Sequence, residues 1–352
     1  MIKSYNNKIS VQQLLSLFVL SLLTPVTRLF PTAAARIAGR AGWLSPLAAA
    51  VPPLIIVLCV SALMKNVREG DNVRCLAGIY QKVFGKVIGK TVLAVYFLWL
   101  SLLYLLYIRY YGERALSTIF VNADLRFFIG IMMFLVYIAV RGRIESLGRF
   151  GEISMLFFLL LVAGFILLML PGVKLRRLGP VTYYDAVPAV RGALPLISVF
   201  SVFIAFFFLC DNVTGMDKLK HKGKISVLSL TIMSVAIVAI TFGSLDYRLI
   251  AKMPMPFFSS LKLVTFIQPF DRLETLLLSA WVLADFVLIA SLAAIIARLG
   301  SKLFDADESK YCAAPVAVFG FIGSCTLASN RFIMEGFSQS VFLSVVSLIM
   351  SV

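Results

Sequence analysis

Few side chains in this sequence are equipped for chemistry, and the most telling ones sit inside long apolar runs. Asp285 lies within Trp281–Leu288, flanked by valine, leucine and phenylalanine. A carboxylate at membrane depth costs on the order of 3 kcal/mol on insertion scales, so it needs a task. It could relay a proton, coordinate a cation, pair with Arg28, or hold a structural hydrogen bond to another helix. Arg28 follows Pro25 by three residues and either offers a cation to an anionic ligand or snorkels to the surface. Asp211, at the end of a later apolar run, is the second candidate for ion or proton relay, with an interfacial position as the alternative.

The first apolar run, residues 11 to about 30, carries Thr24, Pro25, Val26 and Thr27 near its middle. Proline removes a backbone donor and clashes with the carbonyl four residues back, so a kink or break is expected there. In hydrocarbon, freed backbone groups persist only where protein or a water-filled cavity satisfies them. Broken helices place such groups at binding sites of secondary transporters; a kinked span without a ligand is the plainer alternative. The third run places Tyr96, Leu100, Tyr104, Tyr107 and Tyr111 on one helical face. Of these, Tyr96 and Tyr104 are candidates for a central pocket, and Tyr107 and Tyr111 for an interfacial belt. Ser201 and Phe206, in the sixth run, complete the candidate ligand set.

These residues need a membrane scaffold to hold them. The chain is 61% hydrophobic and 14% charged, with a mean hydropathy of +0.96. Soluble domains sit near half apolar and a quarter charged, so this is an all-α polytopic membrane protein. Runs near 20 residues long give about ten spans. Their approximate bounds are 11–30, 44–64, 91–110, 127–140, 153–170, 192–211, 225–243, 273–297, 312–328 and 332–352. Residues 31–43 read as a small-residue connector. Lys82, Lys86 and Lys90 recur every fourth residue in 76–90, as in a helix lying on the membrane surface. Glu145, Arg149 and Glu152 have the spacing of a helical ion-pair ladder, read as a connector that fixes itself or docks a partner.

The net charge of +16 is spread between apolar spans, the pattern of orientation signals and lipid contact rather than of nucleic-acid binding. The basic cluster at 217–224 points to the cytoplasm, and both termini are expected on that side. The first run is too long for a cleavable signal peptide and lacks a small-residue cleavage site. The five cysteines form no C-x-x-C pair, and His221 is the one histidine, so metal sites and Ser-His-Asp catalysis lack raw material. No cofactor, metal or enzymatic activity is expected. Ten spans with a broken first helix suggest two inverted five-helix repeats, about 9–170 and 190–352, within one permease-like domain.

Four short motifs carry a family resemblance. Ile9-Ser10, Gln13, Pro31, Gly39 and Trp43-Leu44-Ser45 resemble the opening of the spore germinant-receptor B-subunit family, the endospore germination permeases. Val83-Phe84-Gly85-Lys86, Gly89-Lys90 and Tyr96 are similar to its start of span three. Arg141, Gly142, Arg143, Ile144, Glu145, Arg149 and Glu152 resemble its central connector, and Leu273, Glu274 and Trp281 its start of span eight. The resemblance covers nearly the whole chain. It implies a ten-helix permease of the amino acid–polyamine–organocation type in the inner membrane of a bacterial spore. It further implies a receptor A subunit and a lipoprotein C subunit as partners, and a small nutrient ligand, amino-acid-like, sensed in a transporter-type pocket. The chain departs from the family where Thr24-Pro25-Val26 replaces a Gly-x-Gly, where Ala41 replaces an aspartate, and where Phe206, Phe207 and Phe208 replace a Gly-x-Glu. A proton- or sodium-coupled amino acid permease, with Asp285 as coupling group, and a ligand-free structural subunit are the rival expectations.

Overall fold

The structure, a computed structural model, describes residues 8–70, 76–118, 124–263, 273–306, 309–327 and 346. It begins with a short strand, β1 (Ile9–Ser10), and then α1 (Val11–Arg28). The Ile-Ser-x-x-Gln motif is the start signal of that helix. Ser10 Oγ accepts from the Gln13 backbone N–H at 3.1 Å, and Gln13 Oε1 accepts from the Ser10 N–H at 3.0 Å. This reciprocal capping box satisfies two of the N–H groups a helix start leaves open.

The chain does not unwind at Thr24–Thr27. α1 runs helically through Pro25 to Arg28, and the irregularity falls at Leu29, between α1 and α2 (Phe30–Ala38). Proline is tolerated because the turn closes around it: the Leu29 N–H still donates to the Pro25 carbonyl at 2.9 Å. What is lost is the donor to the Ser21 carbonyl, since residue 25 has no N–H. The expected connector at 31–43 is also largely helical, with Pro31 in the first turn of α2 and a 3-10 segment at Gly39–Leu44.

The next helices are α3 (Ser45–Ala49), α4 (Val51–Gly70), α5 (Leu76–Thr118), α6 (Leu125–Arg141) and α7 (Ile144–Met169). α5 is interrupted at Gly85, with φ 78° and ψ 172°, a conformation open to glycine. The expected lysine stripe is therefore split: Lys82 lies before the turn, Lys86 after it, and Lys90 binds Asp305 at 2.8 Å. Glu145, Arg149 and Glu152 belong to the first turns of α7 rather than to a loop.

Span six is broken without glycine. α8 (Ala186–Phe200) yields at Ser201–Val202 to α9 (Phe203–Phe206) and a 3-10 segment, Phe207–Asn212. The Ser198 and Ser201 hydroxyls each donate to the carbonyl three residues back, at 2.7 and 2.6 Å. Such back-bonding, together with Pro195 inside α8, bends a helix. β2 (Val213–Thr214) then pairs in parallel with β1, tying the end of span six to the start of α1. The chain continues through α10 (Leu219–Ser244), α11 (Tyr247–Ile250), α12 (Pro256–Leu261), α13 (Leu273–Leu303) and α14 (Ala313–Thr326).

Among the described residues, seven helical stretches are long and apolar enough to cross a membrane. α6 and α14, matching expected spans four and nine, are helices of 17 and 14 residues. Expected span ten, residues 332–352, lies outside the described residues except for 346. Burial runs opposite to hydropathy. The α1 stretch, at mean hydropathy 1.2, is 89% buried, whereas the Ile144–Gly172 stretch, at 2.9, is 28% buried. In lipid the outside of a bundle is its most apolar part, so the more polar helix takes the centre. α7 approaches that centre closely: a Cβ on Gly151 would collide with the Leu17 side chain of α1.

Candidate ligand site

Three helices bring their charges together at the C-terminal end of α1. Arg28, Arg114 of α5 and Asp285 of α13 are 3%, 4% and 3% exposed. Arg114 Nη2 donates a hydrogen bond to Asp285 Oδ2, and Arg28 Nη1 lies 3.7 Å from the same oxygen. Aromatic faces supply the rest of the setting: Arg28 lies over Tyr110 at 5.5 Å, and Arg114 over Tyr111 and Trp281 at 5.9 and 5.8 Å. Cation–π contacts strengthen where water is excluded. Trp281, one turn before Asp285 on α13, donates its Nε1–H to Thr27 Oγ1 at 2.8 Å, and Thr27 Oγ1 donates to the Thr24 carbonyl at 2.9 Å. α1 is thus anchored to α13 beside the ion cluster.

Charge distribution within the cluster is uneven. Arg28 Nε and Nη1 have no hydrogen-bond partner, and neither do the buried hydroxyls of Ser21 and Thr24. Residues 21, 24 and 28 share one face of α1. That face also carries the Ser21 carbonyl freed by Pro25.

A second region packs lower on the same helix. Phe18 of α1 meets Phe203 at 4.0 Å and Phe206 at 6.1 Å between ring centroids, and Phe203 meets Phe207 at 4.9 Å. All four rings are fully buried. Phe18 and Arg28 are ten residues apart, about 15 Å along the helix axis. Ser201 lies at the break that releases this aromatic block, with its hydroxyl turned onto Ser198.

The remaining candidates lie elsewhere. Tyr96 packs with Tyr80 at 6.0 Å and Phe208 at 5.2 Å, below the aromatic block. The Tyr104 hydroxyl faces α6 and α14, 3.4 Å from Met133 Sδ and 3.5 Å from the Val316 carbonyl. The tyrosine face read from spacing therefore does not converge on one pocket, because α5 is surrounded by different neighbours along its length. Tyr111, expected in an interfacial belt, is buried against Arg114. Asp211 forms an ion pair with Lys302 at 2.9 Å, at the far end of α13. Glu145 pairs with Arg149 on the outside of α7, and Glu152 makes no ion pair among the described residues. Sequence reasoning missed Arg114, since span three was ended at residue 110. The signal was present in the helical spacing of Tyr107, Tyr111 and Arg114.

Comparison with known proteins identifies the family and the fold. The chain is similar to spore germination protein KB of Bacillus subtilis (strain 168), 24% identical over 245 residues that span 66% of each protein. Its fold is similar to that of a Na+-coupled sialic acid symporter in a substrate-bound outward-open state. The TM-score is 0.62, with 13% identity over 97% of this chain and 77% of the symporter. At that identity the likeness concerns the fold, a permease-type helical bundle. The family model for spore germination proteins matches residues 8–332. This chain, an integral membrane protein with a transporter-type fold, belongs to the spore germination protein family.

Proposed function

We propose that the chain is the membrane B subunit of a spore germinant receptor and binds a small, amino-acid-like nutrient in a transporter-type site. The buried cluster of Arg28, Arg114 and Asp285 carries this reading. A bundle that needs only to hold its shape would fill that volume with apolar side chains, since a buried ion pair is weak evidence of stability. Ionisable groups at membrane depth are functional by default. Thr24, Pro25, Val26 and Thr27 would form the α1 wall of the site, with Ser201 and Phe206 bounding it from span six. Family and fold point to a receptor or transporter rather than an enzyme.

In this reading the halves at 9–170 and 190–352 are inverted repeats, and both termini face the cytoplasm from the inner spore membrane. Ligand shifts a conformational equilibrium by binding one state better than the other. A receptor A subunit and a lipoprotein C subunit receive that shift, with the Glu145–Arg149 surface as a docking edge.

The test uses purified protein in proteoliposomes, labelled amino acids and small hydroxy-carboxylates, and an imposed proton or sodium gradient. Saturable binding without accumulation is the expected result. Accumulation above equilibrium would make the chain a coupled permease, the reading favoured by the symporter-like fold. Absence of both would leave a ligand-free structural subunit.

A further inference from the structure

We infer that the polar face of α1 takes a small organic anion, with the ligand's carboxylate seated on Arg28. The inference rests on the ligand-binding role proposed above and narrows its chemistry. Arg28 is 3% exposed, yet two of its three guanidinium nitrogens donate no hydrogen bond. Its contact with Asp285 Oδ2 is 3.7 Å, outside hydrogen-bonding range, and that oxygen already accepts from Arg114. The one described carboxylate of the cluster is therefore committed to Arg114 first. Buried donors left unmade are costly, and more so on a charged group. A carboxylate is acceptor-only and forms short, charge-assisted bonds with guanidinium donors.

The groups below Arg28 set what the rest of the ligand carries. The Thr24 and Ser21 hydroxyls, both buried and unbonded, follow on the same face within two turns. Pro25 leaves the Ser21 carbonyl without its helical donor, which adds an acceptor at that level. Ser21 to Arg28 spans about 10 Å along the axis, the scale of a small metabolite rather than a monatomic ion. A carboxylate bearing hydroxyl or amide groups is complementary to the whole stripe.

Equilibrium dialysis and thermal stabilisation of the purified full chain, in chloride-free buffer, test this with defined probes. These are L-lactate, L-malate, neutral L-lactamide, zwitterionic L-alanine and sodium chloride. One of the two anions is expected to bind saturably, with lactamide weaker by about tenfold or more. Arg28→Gln should weaken the anion by a similar factor, and Arg28→Lys should restore part of the loss. Should Arg28→Gln fail to fold, the lactate–lactamide comparison in the unsubstituted protein decides. Binding of L-alanine alone, unchanged in Arg28→Gln, would keep the nutrient-binding role and overturn the anion. Chloride that stabilises the protein and displaces both carboxylates would overturn the organic ligand. Failure of every probe would overturn this inference together with the nutrient-binding role.

Discussion

The middle and the C-terminal end of α1 solve opposite problems with the same helix. Around Phe18, fully buried rings from α1 and α9 pack against one another. Around Arg28, three helices bury charge, and donors are left open on one face. The lower region behaves as a close-packed core, where any void is felt. The upper region holds buried polar groups without hydrogen-bond partners, and the proposed function takes it as the site. Burial alone does not distinguish the two regions; the hydrogen-bond partners of their buried groups do.

Breaking the upper region should have the largest effect. Asp285→Asn leaves two buried guanidinium groups without their shared counter-ion, and about 3–5 kcal/mol of stability should be lost. Thermal unfolding in detergent would show this as a large drop, and adding Arg114→Gln should recover part of it. Recovery identifies the loss as uncompensated charge rather than lost packing. Phe203→Ala should cost about 3 kcal/mol by opening a cavity beside Phe18, without rescue by any charge change. Trp281→Phe keeps the ring and removes the bond to Thr27, so a loss of about 1 kcal/mol is expected from the same unfolding measurement. Glu145→Gln, at the edge of α7, should change stability by less than about 0.5 kcal/mol, because its partner Arg149 is largely solvent-exposed.

The helical membrane bundle was legible because apolar run lengths are set by bilayer thickness, and its permease type followed from the family resemblance. Asp285 and Arg28 stood out for the same reason, as charges where none belong. The position of the first discontinuity was not legible: proline predicts a break at residue 25, but a surrounded membrane helix absorbs it, and the irregularity moves to Leu29. The break in span six escaped because it is made by serine back-bonding and 3-10 turns rather than by glycine. Tyr96 and Tyr104 misled because helical spacing reports a shared face, not a shared neighbour. Arg114 was lost to a helix end placed eight residues short of Thr118.

The most direct test of the account compares ligand binding in two variants, each altered in one region. Arg28→Gln and Phe203→Ala would be purified alongside the unsubstituted chain, and saturable binding of a labelled carboxylate panel measured at a temperature where all three are folded. The account predicts that Arg28→Gln loses binding by about tenfold or more while Phe203→Ala, though less stable, retains it. Binding that survives in Arg28→Gln and disappears in Phe203→Ala would place the ligand in the aromatic block and contradict the assignment of the site to the charged end of α1.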